Sequence, residues 1–339
     1  IPDSGGAGEW RGAPGVDCRI RQRLAPGTWI YPSDGHFNPA KGVAGGLPGR
    51  RSDVWKYGPD DLDPVWAPDN VSRSLLFNGM SLTMPYLEPF LVKTMREAMQ
   101  RVDDPRLLED MRGFMGQEAC HYKCHRRLNE LLKANGYPEL ADVERRMQAS
   151  WERLSKKSLR TRLAYSAGFE CMTNGFTTWF INRRRTLFGG ASPHVASFWL
   201  MHMVEETEHK TVAFDAYMAV SGAFWPRFWG VFHGSFHVLG YGLLGMWVGL
   251  RKNRELGSPR RLGETLRLLG SMTRQVGPFL LRALWPGHDP RRDEDPQWMR
   301  DWIAGYAGLP EGALVPLVDT HHPDMPVPDF TTAGRELNG

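Results

Sequence analysis

Glu118-Ala-Cys-His121 and Glu206-Thr-Glu-His209 are two copies of one short pattern, Glu-x-x-His. Successive residues of an α-helix are rotated by about 100°, so residues three positions apart lie on the same side of the helix. Each copy therefore offers a carboxylate and an imidazole to one point beside its helix. The repetition indicates two helices that face a shared site.

A single glutamate lies upstream of each copy, Glu88 before the first and Glu170 before the second. The two pairs and the two single residues supply four carboxylates and two imidazoles. In four-helix carboxylate proteins this donor set holds two metal ions, with one glutamate from each of two helices and a Glu-x-x-His pair from each of the others. The sequence therefore predicts an all-α protein whose four-helix bundle converges on a dinuclear metal site.

Helix start and stop signals divide residues 71–222 into the four helices of this bundle. The predicted helices run from about 85 to 101, 105 to 135, 158 to 185 and 193 to 221. Pro89 follows Glu88 directly and is expected to distort the first turn of the first helix, because proline lacks a backbone N–H.

Two additional histidines make the two copies unequal. His202 lies four residues before Glu206 on the same side of the predicted helix, and His125 lies four residues after His121. We predict that His202 is a further metal ligand, with a hydrogen-bonding role beside the metal as the alternative. His125 is expected in a supporting or catalytic position next to a ligand, and Glu205 is expected to orient a histidine.

Small polar residues share the predicted helix face of Glu170. Thr173 and Thr177 are candidate catalytic residues on this face, and Asn174 lies beside them. Small side chains leave room for solvent or substrate next to a metal pair, but they also permit close packing of helices. The sequence is compatible with both interpretations.

Size and composition describe a folded protein. The chain has 339 residues, of which 41% are hydrophobic and 24% are charged, and its formal net charge is +4. Because the net charge is small and no long basic run occurs, a nucleic-acid partner is not expected. Three of the four cysteines fall in predicted helices, which favours reduced thiols and a cytoplasmic location over a disulfide framework.

The segments outside the predicted bundle differ from it. Residues 1–70 are rich in Gly, Pro and Asp and predict an irregular arm. Residues 223–285 predict an apolar helix followed by an amphipathic one, and residues 286–339 predict a Pro-rich tail with one short helix near 297–306.

Residues 229–250 contain no Lys, Arg, Asp or Glu and are followed by Arg251 and Lys252. A stretch of this length could cross a bilayer, and aromatic residues near both ends resemble a membrane aromatic belt. Three interpretations stay open: a membrane span, association with a membrane surface or an apolar substrate, and a buried helix that packs within the protein or in a homodimer.

These motifs also resemble known families. The bundle resembles the ferritin-like diiron-carboxylate superfamily. Gly116-Gln-Glu-Ala-Cys-His121, with His125, and the segment 201–215 resemble a bacterial family of predicted metal-dependent hydrolases, over roughly residues 75–255. The His-x-x-x-Glu-x-x-His form of the second motif is similar to the arylamine N-oxygenases, in which the added histidine binds iron. That resemblance implies a metal role for His202.

Three functions are compatible with these features. The first is a non-haem diiron oxidoreductase that uses dioxygen and an external electron donor to hydroxylate or desaturate an apolar or amphipathic small molecule. The alternative is a dinuclear hydrolase that uses a metal-bound water, with manganese or zinc in place of iron. The third is non-catalytic metal binding.

Overall fold

The structure is a computed structural model, and it describes residues 62–309 and 315–332 of the chain. Within these ranges all regular secondary structure is helical and no β-strand occurs, as the sequence predicts. The expectation of an irregular arm falls mainly on residues 1–61, which lie outside the described residues, whereas residues 62–70 contain no helix.

The described α-helices are numbered in chain order. They are α1 (Val71–Ser81), α2 (Met84–Ala98), α3 (Pro105–Ala134), α4 (Leu140–Ser155), α5 (Leu159–Asn182), α6 (Arg184–Phe188), α7 (Pro193–Glu208), α8 (Val212–Val220), α9 (Phe224–Lys252), α10 (Pro259–Ala283) and α11 (Gln297–Ala307). Residues 62–303 and 317–328 form one compact unit. The other described residues, 304–309, 315–316 and 329–332, belong to a second unit, in which residues 330–332 form a 3-10 turn.

Two of the ligand-bearing helices begin where the sequence provides caps. Asp104 accepts a hydrogen bond from the backbone N–H of Arg106 at the start of α3. Ser158 accepts one from the backbone N–H of Thr161 at the start of α5. Such caps satisfy N–H groups that have no partner in the first turn of a helix, and they fix the register of the residues that follow.

Pro89 does not interrupt α2. The helix begins at Met84, with Pro85 in its first turn, and continues past Pro89 to its end. Pro89 cannot donate to the carbonyl of Pro85, but the remaining turns are intact and Glu88 is buried. The disturbance expected from the sequence therefore does not remove Glu88 from the interior.

The fourth predicted helix is divided in two, so the prediction of one continuous helix from 193 to 221 is wrong. α7 ends at Glu208, residues 209–211 form a turn, and α8 begins at Val212. His209 has φ −117° and ψ 16°, and its ring lies edge-on to Phe114 of α3 with centroids 4.7 Å apart. Apolar residues continue at helical spacing on both sides of the turn, which is why the sequence pattern did not reveal the break.

Two helices were not assigned from the sequence. α4 buries residues at intervals of three and four, namely Leu140, Val143, Met147, Trp151 and Leu154. This amphipathic pattern was readable in the sequence. α1 has buried residues on almost every side, so it lacks an amphipathic signal. Its Phe77 ring is fully buried and packs against Phe180, with centroids 4.7 Å apart.

α9 packs closely on α5 and α1 through glycines. A Cβ atom at Gly168 of α5 would lie 2.2 Å from the carbonyl oxygen of Gly230. A Cβ atom at Gly79 of α1 would lie 2.2 Å from the carbonyl oxygen of Gly242. The helix backbones therefore touch directly at both crossings. Across residues 62–309 and 315–332, no helix has the length and apolar character needed to cross a membrane.

Candidate metal centre

Four helices bring the predicted ligands to one place. α2 carries Glu88, α3 carries Glu118 and His121, α5 carries Glu170, and α7 carries His202 and Glu206, with His209 directly after it. All of these side chains are buried, and the most exposed of them, His121, is 6% exposed. Burying a carboxylate is costly unless it is paired or coordinates a cation. In their ionised form the four carboxylates therefore need positive charge close to them.

The side chains divide into two groups, each of which fits one cation. The first group is Glu88, His121 and His202, and the second is Glu118, Glu170, Glu206 and His209. Within each group, one ligand atom of every residue lies within 4.8 Å of the others. Ligand atoms about 2.1 Å from one ion are at most about 4.2 Å apart, so small movements would let each group close on an ion.

Glu206 lies between the two groups. Its Oε1 atom is 2.8 Å from Nε2 of His202 and 3.6 Å from Nδ1 of His121, both in the first group. Its Oε2 atom faces the second group, 4.0 Å from Nε2 of His209. A carboxylate whose two oxygens face two groups is placed to bridge two cations.

Many polar atoms of the centre have no hydrogen-bond partner within the described part of the chain. They are both carboxylate oxygens of Glu88, Glu118 and Glu170, Oε2 of Glu206, both ring nitrogens of His209 and Nδ1 of His121. The contact between Glu118 Oε1 and His209 Nε2, at 3.8 Å, is too long for a hydrogen bond. Buried polar groups are normally satisfied. The residues therefore fit a pair of cations, which would supply the missing contacts.

Without a cation, the four carboxyl groups differ in charge. Burial raises the pKa values of Glu88, Glu118 and Glu170 well above the ordinary range, and the nearby Glu206 raises them further. Burial acts in the same direction on Glu206, but His209 and contacts with His121 and His202 outweigh it and hold the pKa of Glu206 well below the ordinary range. Glu206 is therefore the ionised carboxylate of the cation-free centre.

Glu205 orients His121. The ring donates its Nε2–H to Oε2 of Glu205 at 2.7 Å, which leaves Nδ1 facing the centre. Burial lowers the pKa of His121, but the hydrogen bond to Glu205 and the nearby carboxylate of Glu206 outweigh burial and raise the pKa well above its ordinary value. A carboxylate on the outer nitrogen of a histidine commonly supports a metal ligand. This orienting role is the one expected for Glu205 from its position beside the ligand face of the helix.

A chain of hydrogen bonds runs from His202 away from the centre. Nδ1 of His202 is 2.8 Å from Nε2 of His125, and Nδ1 of His125 is 2.9 Å from Oγ of Ser81. Ser81 Oγ is in turn 2.8 Å from Oδ1 of Asn129, and the amide nitrogen of Asn129 donates to the backbone carbonyl of Ser81 at 3.1 Å. All four side chains are buried, so solvent does not compete with these bonds.

The backbone carbonyl fixes the direction of this chain, because a carbonyl only accepts. Asn129 must turn its NH2 group toward that carbonyl. Its Oδ1 therefore accepts a hydrogen bond from the hydroxyl group of Ser81. Because the Ser81 hydroxyl has only one proton to donate, its Oγ must accept a hydrogen bond from Nδ1–H of His125. Burial and the neighbouring His202 lower the pKa of His125 well below its ordinary value, so the ring is neutral and its Nε2 accepts from Nδ1–H of His202.

The consequence appears at the other nitrogen of His202. Burial also lowers the pKa of His202, so its neutral ring carries one proton, and the chain places that proton on Nδ1. Nε2 is left with a lone pair, 2.8 Å from Oε1 of Glu206. Two acceptors at this distance repel each other unless a proton or a cation lies between them. The hydrogen-bond network therefore leaves Nε2 of His202 able to bind a cation.

The predicted catalytic residues lie outside both groups. Thr173 donates to the carbonyl of Phe169 at 3.3 Å, and the Thr177 hydroxyl lies 3.8 Å from the sulfur of Met203. His125 contacts His202 instead of the groups themselves. Catalytic roles for Thr173, Thr177 and His125 remain predictions.

A narrow polar cleft lies beside the threonine face of α5. Its lining includes Asn174, Thr177, Thr207, Lys210 and Asp295. Asn174 is buried, and its amide nitrogen has no hydrogen-bond partner among the described residues. Because Asn174 lies one helical turn after Glu170, and Thr207 follows Glu206, this cleft is adjacent to the second group.

Two residues of the centre were missed by the sequence analysis. Asn129 lies four residues after His125 on α3, so helical spacing could have placed it on the same face. Ser81 closes α1, which is buried on almost every side and therefore gave no signal of a face directed toward the centre.

Residues 51–294 match a family model described as predicted metal-dependent hydrolase, which covers more than two thirds of the chain. Residues 1–85 match a model described as hydantoinase B/oxoprolinase, over about a quarter of the chain. No match was found among curated proteins or among solved structures. The resemblances to the ferritin-like superfamily and the arylamine N-oxygenases therefore stay predictions.

Proposed function

Because the chain belongs to the family of predicted metal-dependent hydrolases, we propose that its two groups hold two divalent cations and that the protein hydrolyses a small molecule beside them. One observation carries the proposal: buried ligand atoms without partners fall into two groups, and Glu206 of the second group also faces the first. Ionised, the four carboxylates would carry four negative charges, which two divalent cations would neutralise.

Divalent cations supply a hydrolase with polarisation of the bond to be cleaved and with a water of lowered pKa. The residues of this chain would hold and orient the cations. Glu88, His121 and His202 would hold one, and Glu118, Glu170 and His209 the other, with Glu206 between them.

Protons around the centre are held by two supporting groups. Nε2–H of His121 donates to Oε2 of Glu205. The Glu205 side chain is 29% exposed, so this hydrogen bond lies close to solvent. In the interior, Nδ1–H of His202 donates to Nε2 of His125. We place access for water at the narrow polar cleft beside Asn174 and Thr177.

The test is metal analysis followed by hydrolysis assays in the absence of oxygen and reductant. We expect two divalent ions per chain and turnover of an ester, amide or phosphoester from a substrate panel. Glu118→Gln should abolish turnover, whereas Glu109→Gln, an exposed position on the same helix, should not. A protein that carries two ions and hydrolyses no member of the panel would contradict the proposal.

Oxygen activation is the second candidate, and the ligand set favours it. Two Glu-x-x-His pairs and two single glutamates on separate helices form the donor arrangement of di-iron carboxylate proteins. This candidate requires iron, an external electron donor and an oxidisable substrate. Oxygen consumption by the reduced iron-loaded protein, abolished in Glu118→Gln, would select it. Tight metal binding without either activity would select a non-catalytic role.

A further inference from the structure

α9 has two different faces. The face toward α5 and α1 is rich in glycine and buried, as the direct backbone contacts at Gly230 and Gly242 show. The opposite face exposes large aromatic side chains. Trp225 is 65% exposed, Trp229 64%, Phe236 61% and Trp247 46%. Side chains of this size are normally buried in a folded protein, so this face needs an explanation.

Aromatic residues form a stripe along one side of α9. Trp225, Trp229, Phe232, Phe236 and Trp247 are separated by three, four or eleven residues, which places them on one side of a helix. Phe232 is partly exposed, and the other four are exposed. In the middle of the stripe the rings touch: those of Trp229 and Phe232 are 5.9 Å apart, and those of Phe232 and Phe236 are stacked at 6.1 Å.

α10 extends this apolar surface. Leu262, Leu266 and Leu281 are exposed on α10, and Trp285, just after its end, is 72% exposed. The start of α9 lies beside the end of α10, because Arg227 donates to the backbone carbonyls of Ala283 and Trp285. We call the exposed apolar residues of 225–285 the α9–α10 face.

The α9–α10 face is bordered by positive charge. Eight cationic residues are exposed between 224 and 285: Arg251, Lys252, Arg254, Arg260, Arg261, Arg267, Arg274 and Arg282. The two acidic residues of this segment are Glu255, which is buried, and Glu264, which is partly exposed. Within the described ranges, Arg251, Arg254, Arg267 and Arg274 make no ion pair, and Arg251 lies over the Trp247 ring at 5.5 Å.

We propose that the α9–α10 face docks on an anionic lipid surface, with α9 lying in the plane of the interface. Exposed Trp, Phe and Leu beside arginines are the combination by which helices bind the headgroup region of anionic membranes. Trp and Arg suit this region because each combines an apolar or flat surface with a polar end.

Charge decides between a lipid surface and a second copy of the chain. In a twofold dimer the same face meets itself, so the arginines around one copy would meet those around the other. Like charges brought together in this way oppose association. An anionic bilayer offers negative charge at the rim and an apolar layer beneath it. The proposal is independent of the chemistry at the metal centre.

The test is sedimentation of the full chain with vesicles of phosphatidylcholine, alone or mixed with phosphatidylglycerol. We expect binding to the mixed vesicles, weakened by salt, and little binding to phosphatidylcholine alone. Trp225→Ser with Trp229→Ser should lower the partition coefficient by at least about tenfold. Arg267→Gln and Arg274→Gln should each lower it by about fivefold.

Two controls separate docking from loss of fold. Met218→Ser removes an exposed apolar side chain of α8, outside the α9–α10 face, and should leave vesicle binding unchanged. Each variant should keep the far-ultraviolet circular dichroism and thermal transition of the parent. Absence of binding to mixed vesicles would overturn the proposal. So would a dimer in sedimentation velocity that the tryptophan variants dissociate, because the occupant would then be a second copy.

Discussion

The two Glu-x-x-His copies share a pattern but differ in structure. Glu118 and His121 lie inside the long helix α3, whereas Glu206 lies in the last turn of α7 and His209 lies just beyond its end. His121 is held by Glu205 through a hydrogen bond. His209 has no hydrogen-bond partner in the described part of the chain, and burial lowers its pKa to about 4. The first copy is thus positioned by a polar neighbour and the second by a break in the helix and by packing.

The largest expected effect distinguishes the glutamates of the two copies. Glu206 faces both groups, whereas Glu118 belongs to the second group alone. Glu206→Gln should therefore reduce bound metal from two ions to nearly none, with affinity lowered by more than about 100-fold. Glu118→Gln should retain about one ion. Metal content after exhaustive dialysis measures the difference, and equal content in the two variants would show that Glu206 does not bridge.

Glu205 supports the first copy alone, through His121, and its removal is expected to weaken metal binding less than the removal of Glu206. Glu205→Ala removes the acceptor of the His121 Nε2–H and should weaken binding of one ion by about 10- to 100-fold. The control is Glu208→Ala, which removes an exposed carboxylate of the same helix that accepts from Gln117. Titration with a metal-sensitive dye reports both affinities. Similar losses in the two variants would mean that the His121 contact is incidental.

The hydrogen-bond chain behind His202 gives a third comparison. Ser81→Ala leaves His125 free to rotate or change tautomer, and we expect roughly tenfold weaker binding of the ion at His202. Ser235→Ala is a matched control, because Ser235 is equally buried but its hydroxyl has no partner within the described residues. The nitrogen-15 shifts of the His202 ring would report its tautomer. A proton on Nε2 of His202 in the metal-free parent would contradict the direction assigned to these hydrogen bonds.

The dependence of stability on pH should differ between the metal-free and metal-loaded protein. Burial raises the pKa values of Glu88, Glu118 and Glu170, so the metal-free folded state holds protons that the unfolded chain releases above about pH 4.5. Its free energy of unfolding therefore falls as pH rises. The lowered pKa of His209, about 4, has the opposite effect only up to about 6.5, so the fall is clearest above that pH.

The matched variant for this effect is Glu170→Gln, which cannot ionise. Its pH slope in the metal-free state should be shallower than that of the parent by at most about 1.4 kcal/mol per pH unit. Chemical denaturation at several pH values above 6.5 measures both slopes. With metal bound, the carboxylates are already ionised and the fall should disappear. A metal-free parent whose stability rises above pH 6.5 would contradict the raised pKa values.

The spacing of glutamates and histidines along the chain was sufficient to predict which of these side chains lie together. The sequence pattern assigns three of the glutamates to separate helices, and the structure brings them into the two groups: Glu88, Glu118 and Glu170. The break at His209 could not be predicted, because it depends on packing against Phe114 of another helix. The contact of Ser81 with His125 could not be predicted either, because the two residues are distant in sequence and meet only through the packing of α1.

Anomalous diffraction from crystals of the metal-loaded protein would locate the cations and so test the proposal that both groups hold one. We expect two peaks, one among Glu88, His121 and His202, and the other among Glu118, Glu170 and His209, with Glu206 in contact with both. A folded, metal-loaded protein with no peak in either group, or with its metal bound elsewhere, would contradict the proposal.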